Sequence, residues 1–247
     1  MWAIVKLILY YFAYQLGFSA VLMGISQFVV AMDMTTMTSL AMVASTLMMI
    51  WHLVYFRYVC LSNDRYKEVG MTVLLVSLLF IFAAMYVLNL AIEQTGIPNT
   101  MEDTFLAMCR NPWGVLSIAL LAPILEEMLF RGAIEGRLLR SMSNPWQAIT
   151  ISSLIFGVVH MNPAQIPFAF LLGMMFGWLY WRTGSLLPGI VGHVFNNSVA
   201  AVNMMIYGDA TLEEQMQSPA EMWTWAALAL VVFLASAGWL NRSLKKK

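Results

Sequence analysis

The feature that most constrains this chain is its succession of long apolar runs. A helix that crosses a bilayer needs roughly 20 consecutive, mostly apolar residues. Runs of that kind occur at about 7–31, 39–58, 71–92, 112–130, 146–161, 164–181, 185–206 and 222–240, the fifth and sixth short and closely joined. Only 11% of the 247 residues are charged, against roughly 25% in an ordinary soluble domain. A soluble globule is excluded. The expected fold class is all-α: a polytopic membrane protein with about eight transmembrane helices, built as one integral-membrane domain over residues 1–247. The first run is too long for the apolar core of a signal peptide, so it is expected to be a retained anchor. Thirteen basic and thirteen acidic side chains cancel, which argues against nucleic acid as a partner and leaves the lipid bilayer as the surroundings. Two cysteines, Cys60 and Cys109, cannot make a disulfide framework.

Loop charges set the orientation, because Lys and Arg stay on the cytoplasmic side. With both termini cytoplasmic, Lys6, Arg57, Arg65, Lys67, Arg137, Arg140, Arg182, Arg242 and Lys245 to Lys247 all fall inside, and only Arg110 falls outside. Asp33, Glu93, Glu102, Asp103, Asp209, Glu213, Glu214 and Glu221 fall outside. One span more or fewer would scramble this sorting. A helical protein of this size suits a bacterial cytoplasmic membrane.

Ionisable side chains inside a span cost a few kcal/mol each even on lenient insertion scales, and here they collect in the second half of the chain. They are Glu126 and Glu127, His160, and His193 with Asn197. Glu127 and Arg131 are four apart and share a helix face suited to an ion pair. Glu126 lies about 100° round from its neighbour and points elsewhere. A hairpin around 141–145 brings His160 opposite the two glutamates. The segment 161–167, with Pro163 and Pro167, interrupts the helix directly after His160, which is tolerated at membrane depth only where protein or a water-filled cavity surrounds it. His52, alone near an interface, reads as structural. Gly173 and Gly177 read as close helix packing.

Glu, His, His and Asn with no Ser or Cys nucleophile suit hydrolysis by activated water. In one version a carboxylate takes the proton from water, an imidazole assists, and His193 with Asn197 donates to the developing oxyanion. In the other, Glu126, His160 and His193 are the three ligands of a zinc ion with water in the fourth position. No His-Glu-x-x-His is present to favour zinc.

Glu126-Glu127-x-x-x-Arg131, Phe156-x-x-x-His160 and His193-x-x-x-Asn197, in that order on successive helices, resemble the motifs of the CPBP family of intramembrane proteases. Phe130-Arg131-Gly132 and Arg182-Thr183-Gly184-Ser185-Leu186 resemble it too. That family includes CAAX prenyl endopeptidases and bacterial proteins tied to bacteriocin processing and self-immunity. The resemblance covers roughly 112–206, the expected catalytic core. It implies that Glu126 is the water-activating base with His160 assisting. His193 and Asn197 would form the oxyanion site, with Glu127 and Arg131 in support. The implied substrate is a membrane-associated peptide or protein. Members are described both as metalloproteases and as metal-free glutamate proteases. The metal-free form is favoured here because the residues supply base and donors on their own, with zinc as the alternative. Two other classes could use the same residues: a small proton-coupled transporter, for which no inverted repeat is present, and a non-catalytic bacteriocin-immunity or scaffold protein.

Overall fold

The structure, a computed structural model, describes residues 2–59, 69–208 and 210–244. Cys60, Arg65, Lys67, Asp209 and Lys245 to Lys247 lie outside the described residues. Those described form helices and no strand. The helices are α1 Trp2–Phe28, α2 Met34–Tyr55, α3 Met71–Glu93, α4 Glu102–Cys109, α5 Pro112–Ser141, α6 Pro145–Val158, α7 Gln165–Thr183, α8 Leu187–Tyr207, α9 Leu212–Gln215 and α10 Pro219–Ser243. All eight apolar runs of the sequence fall on helices. Five of these (α1, α2, α3, α5 and α10) are long and apolar enough to cross a membrane, whereas α6 has the composition but only 14 residues. The protein is a multi-pass membrane protein.

Helix starts follow local chemistry. Asn111, Asn144 and Ser218 each accept a hydrogen bond from an amide in the first turn, and each precedes a proline at the first helical position. That proline has no N–H to leave unpaired. Asp33 caps α2 through the Thr36 amide at 2.9 Å. Gly184 ends α7 with φ 70°, the left-handed conformation that a glycine adopts without strain, and its amide donates to the Tyr180 carbonyl.

α5 lies at the centre. It packs against α2, α6, α7 and α8, while α3 lies against α7, α8 and α10. Leu125, Leu129, Phe130 and Ile134 of α5 join Leu7, Leu53 and Phe156 in the largest apolar cluster. Away from this core, Leu16, Val21, Val231 and Leu234 of α1 and α10 face outward, where hydrocarbon rather than water would meet them. His52 is buried between α1 and α2, its Nδ1 2.8 Å from the Tyr14 hydroxyl and its ring among Tyr10, Phe56 and Tyr58.

α5 is not a uniform α-helix. Leu116–Leu121 and Glu127–Glu135 are π-helical, on either side of an α-helical turn at Ala122–Glu126. Pro123 accounts for the first widening. A proline inside a helix lacks an amide proton and clashes with the carbonyl four residues back, and a wider turn relieves that clash. π-turns within helices occur frequently at functional sites, and these two bracket the Glu126-Glu127 pair.

Candidate active site

The second π-helical segment carries Glu127, Arg131 and Glu135, and all three are fully buried. A glycine of a neighbouring helix approaches each one. A Cβ at Gly189 of α8 would lie 2.6 Å from Glu127 Oε2. One at Gly173 of α7 would lie 3.2 Å from Arg131 Nη2, and one at Gly177 would lie 2.5 Å from Glu135 Oε2. The Gly173 and Gly177 pair is therefore close packing, as the sequence indicates, but packing against charged side chains. Bare backbone lets α7 and α8 close over a row of ionisable groups that larger residues would push apart.

Arg131 holds this row together. Its Nε is 3.5 Å from Glu127 Oε2, and its Nη2 donates to the Gly173 carbonyl at 3.2 Å. Its guanidinium lies 4.4 Å from the centre of the Phe156 ring and 5.5 Å from that of Phe176. The expected Glu127–Arg131 ion pair is present. It is a Coulombic contact slightly too long for a hydrogen bond.

His193 of α8 sits between the two adjacent glutamates. Its Nδ1 is 3.2 Å from Glu127 Oε1 and its Nε2 is 3.5 Å from Glu126 Oε2. A carboxylate paired with Arg131 accepts hydrogen bonds, so Nδ1 carries the proton donated to Glu127, and Nε2 is the nitrogen presented toward Glu126. The ring stacks on Phe176 at 5.0 Å and meets the edge of Phe156 at 5.7 Å. The two carboxylates differ in one decisive respect. Glu127 is wholly enclosed, while the Glu126 side chain keeps 14% of its surface accessible. Of the pair, only Glu126 is open to water or to a substrate.

His160 lies just past the end of α6. Its Nδ1 donates to the Phe156 carbonyl at 2.8 Å, one of the orphan carbonyls of a helix C-terminus, and its ring meets the edge of Phe156 at 4.9 Å. In the neutral ring the lone pair is then on Nε2. Both imidazoles share Phe156, yet among the described residues His160 forms no hydrogen bond or ion pair with either glutamate. The hairpin brings it to the same aromatic post, and the helix-end carbonyl holds it there. The break after His160 is present: Met161 has φ 53°, and α7 begins at Gln165. Its polar groups are met by protein. The buried Asn162 accepts from the Thr100 amide at 3.2 Å and donates to Asn99 Oδ1 at 2.7 Å.

Asn197 is one turn beyond His193. Its Nδ2 donates to the Ile118 carbonyl at 2.9 Å, and its Oδ1 accepts from Asn196 Nδ2 at 2.9 Å. Among the described residues the second N–H of the Asn197 amide has no partner. Glu126, His160 and His193 do not converge as a ligand set, and among the described residues no group of three or more His, Cys, Asp or Glu is placed to hold a metal ion. The site thus does not fit the three-ligand zinc arrangement.

Sequence reasoning missed Phe176, Asn196 and Gly189. Phe176 and Gly189 are apolar or featureless in sequence and gain meaning only from what faces them. Asn196 sits beside Asn197 within an apolar run and could have been flagged on polarity alone. Tyr11 of α1 also lies within electrostatic reach of Glu126. No diagnostic motif lies in α1 to α3.

Residues 109–199 match the family of type II CAAX prenyl endopeptidase Rce1-like proteins. This region contains every motif residue of the site. The chain belongs to the CPBP family. Among curated proteins, the membrane-embedded CAAX protease MroQ of Staphylococcus aureus (strain USA300) is 29% identical over 122 residues, 47% of this chain and 49% of that protein. YdiL of Bacillus subtilis (strain 168), named as a candidate membrane peptidase, is 32% identical over 169 residues, 63% of this chain and 66% of that protein. The aligned regions thus span less than two thirds of either relative. No solved structure matches the chain significantly.

Proposed function

We propose that this CPBP protein is an intramembrane endopeptidase that hydrolyses a peptide bond of a membrane-associated peptide or protein. The observation that carries the proposal is the division between the adjacent carboxylates: Glu127 enclosed and ion-paired, Glu126 accessible and 3.5 Å from an imidazole. Glu126 takes a proton from water as the water oxygen attacks the carbonyl carbon, with His160 Nε2 as the assisting acceptor. The resulting oxyanion takes hydrogen bonds from His193 Nε2 and the free N–H of Asn197. Because Nδ1–H is committed to Glu127, His193 fills this role as the imidazolium. With Glu126, Glu127 and Arg131, its charge then sums to zero. The intermediate collapses by breaking the C–N bond, and Glu126 returns its proton to the leaving amine.

The proposal is metal-free, with no cofactor. It includes eight crossings with both termini cytoplasmic in a bacterial cytoplasmic membrane, which the charge sorting of the loops supports. The test is cleavage of a panel of internally quenched peptides by purified protein, wild type beside Glu126→Ala, with and without chelator. The expected result is cleavage that is lost in the variant and indifferent to chelator. Loss to chelator with recovery on adding zinc would replace this mechanism with the metal one. Activity retained by Glu126→Ala would refute the role of Glu126.

A further inference from the structure

Eight residues upstream of Glu126, the backbone of α5 has an acceptor, the Ile118 carbonyl, whose partner would have to come from residue 123. In the π-helical turn Leu116–Leu121 the Ala122 amide donates five residues back, to the Ser117 carbonyl. The Ile118 carbonyl would next be served by the amide of residue 123. That residue is Pro123, which has none. A buried carbonyl left in this state is costly, and Ile118 is buried. What reaches it is Asn197 Nδ2, at 2.9 Å, from the catalytic face of α8. The other end of the same amide is held by Asn196. The side-chain amide of Asn197 is thereby fixed at both ends, with one N–H free.

We propose that Pro123 is a positioning residue: by withholding its amide, it reserves the Ile118 carbonyl for Asn197 and so sets the direction of the remaining Asn197 N–H. This rests on the oxyanion role given to Asn197 above. It assigns to the proline a function beyond widening the helix. An ordinary residue at 123 would supply an amide to compete for that carbonyl, and Asn197 would lose its fixed orientation. The helix itself would gain from the change, since proline is the least favourable residue in a helix interior.

The combination sets an unusual expectation, a variant at least as stable as the wild type and less active. Wild type, Pro123→Ala, Asn197→Ala and the double variant are compared for kcat, KM and melting temperature. Pro123→Ala is expected to melt no lower than wild type, keep its KM and lose tenfold or more in kcat. In the Asn197→Ala background the same change is expected to alter kcat less than twofold. Wild-type kcat in Pro123→Ala, or an equal loss in both backgrounds, would overturn the proposal.

A second readout does not depend on turnover. In protein labelled with 15N-asparagine, the side-chain amide signal that disappears in Asn197→Ala is expected to be protected from hydrogen exchange. In Pro123→Ala it is expected to exchange at least tenfold faster. Unchanged protection would overturn the proposal even if no peptide is cleaved, whereas a protease that fails the peptide test while its Asn197 loses protection would sink the oxyanion role alone.

Discussion

Replacing Arg131 with methionine removes the guanidinium paired with Glu127 and leaves the buried site one positive charge short. Arg131 and Glu127 are both wholly buried, with Nε and Oε2 3.5 Å apart. At that separation an effective dielectric of about 20 gives an attraction of roughly 5 kcal/mol. Breaking a buried pair on one side costs about 3–5 kcal/mol, because the remaining charge is stranded. The hydrogen bond to the Gly173 carbonyl and the contact with Phe156 are lost as well. We therefore expect Arg131→Met to lose about 3–5 kcal/mol, a large share of a total that is about 5–15 kcal/mol for a typical domain. The assay is equilibrium unfolding in detergent micelles. The double variant Glu127→Gln with Arg131→Met strands no charge, and it is expected to recover all but about 1–2 kcal/mol. A single variant within about 1 kcal/mol of wild type, or a double variant worse than either single one, would refute the reasoning.

Three further outcomes are expected. Gly189→Ala places a methyl group 2.6 Å from Glu127 Oε2 and forces that carboxylate off Arg131 or His193. A loss of about 1–3 kcal/mol and a tenfold or greater fall in kcat should appear in unfolding and turnover measurements. His160→Gln removes the assisting base, and a fall of about 10²–10⁴ in kcat is expected, with a stability loss of only about 1 kcal/mol from the bond to the Phe156 carbonyl. At the loop before α10, the amide and hydroxyl of Thr211 donate to Glu214 and hold its carboxyl below the ordinary carboxylate range. The contribution of this cap is full above the unfolded value of about 4.3 and is lost as pH falls through the lower folded value. The protection of amides 211–215, measured relative to their intrinsic exchange rates, should therefore fall only on that descent.

The apolar runs made the helices legible, because hydrocarbon leaves backbone groups no partner outside the segment. The Glu127–Arg131 pair was legible because four-residue spacing survives even where the helix widens. The break after His160 was legible from Asn162, Pro163 and Pro167. Other features were not. The glycines at 173 and 177 read as packing and Gly189 as featureless, and only the folded neighbours show that each faces a buried charge. Glu135 has no apolar pattern to mark it as buried, yet α7 closes over it completely. His160 was expected opposite the glutamates, but a carbonyl orphaned at the end of α6 binds its Nδ1. The Ile118–Asn197 bond depends on the register of a π-turn, which no apolar periodicity encodes.

The central claim is that two adjacent glutamates do different work, and comparing Glu126→Gln with Glu127→Gln on a membrane-anchored reporter in proteoliposomes tests it most directly. Glu126→Gln should melt like wild type and lose cleavage by about 10²-fold or more. Glu127→Gln should be markedly less stable, because it leaves Arg131 buried without its partner. Cleavage persisting in Glu126→Gln, or equal stability of the two variants, would contradict the account.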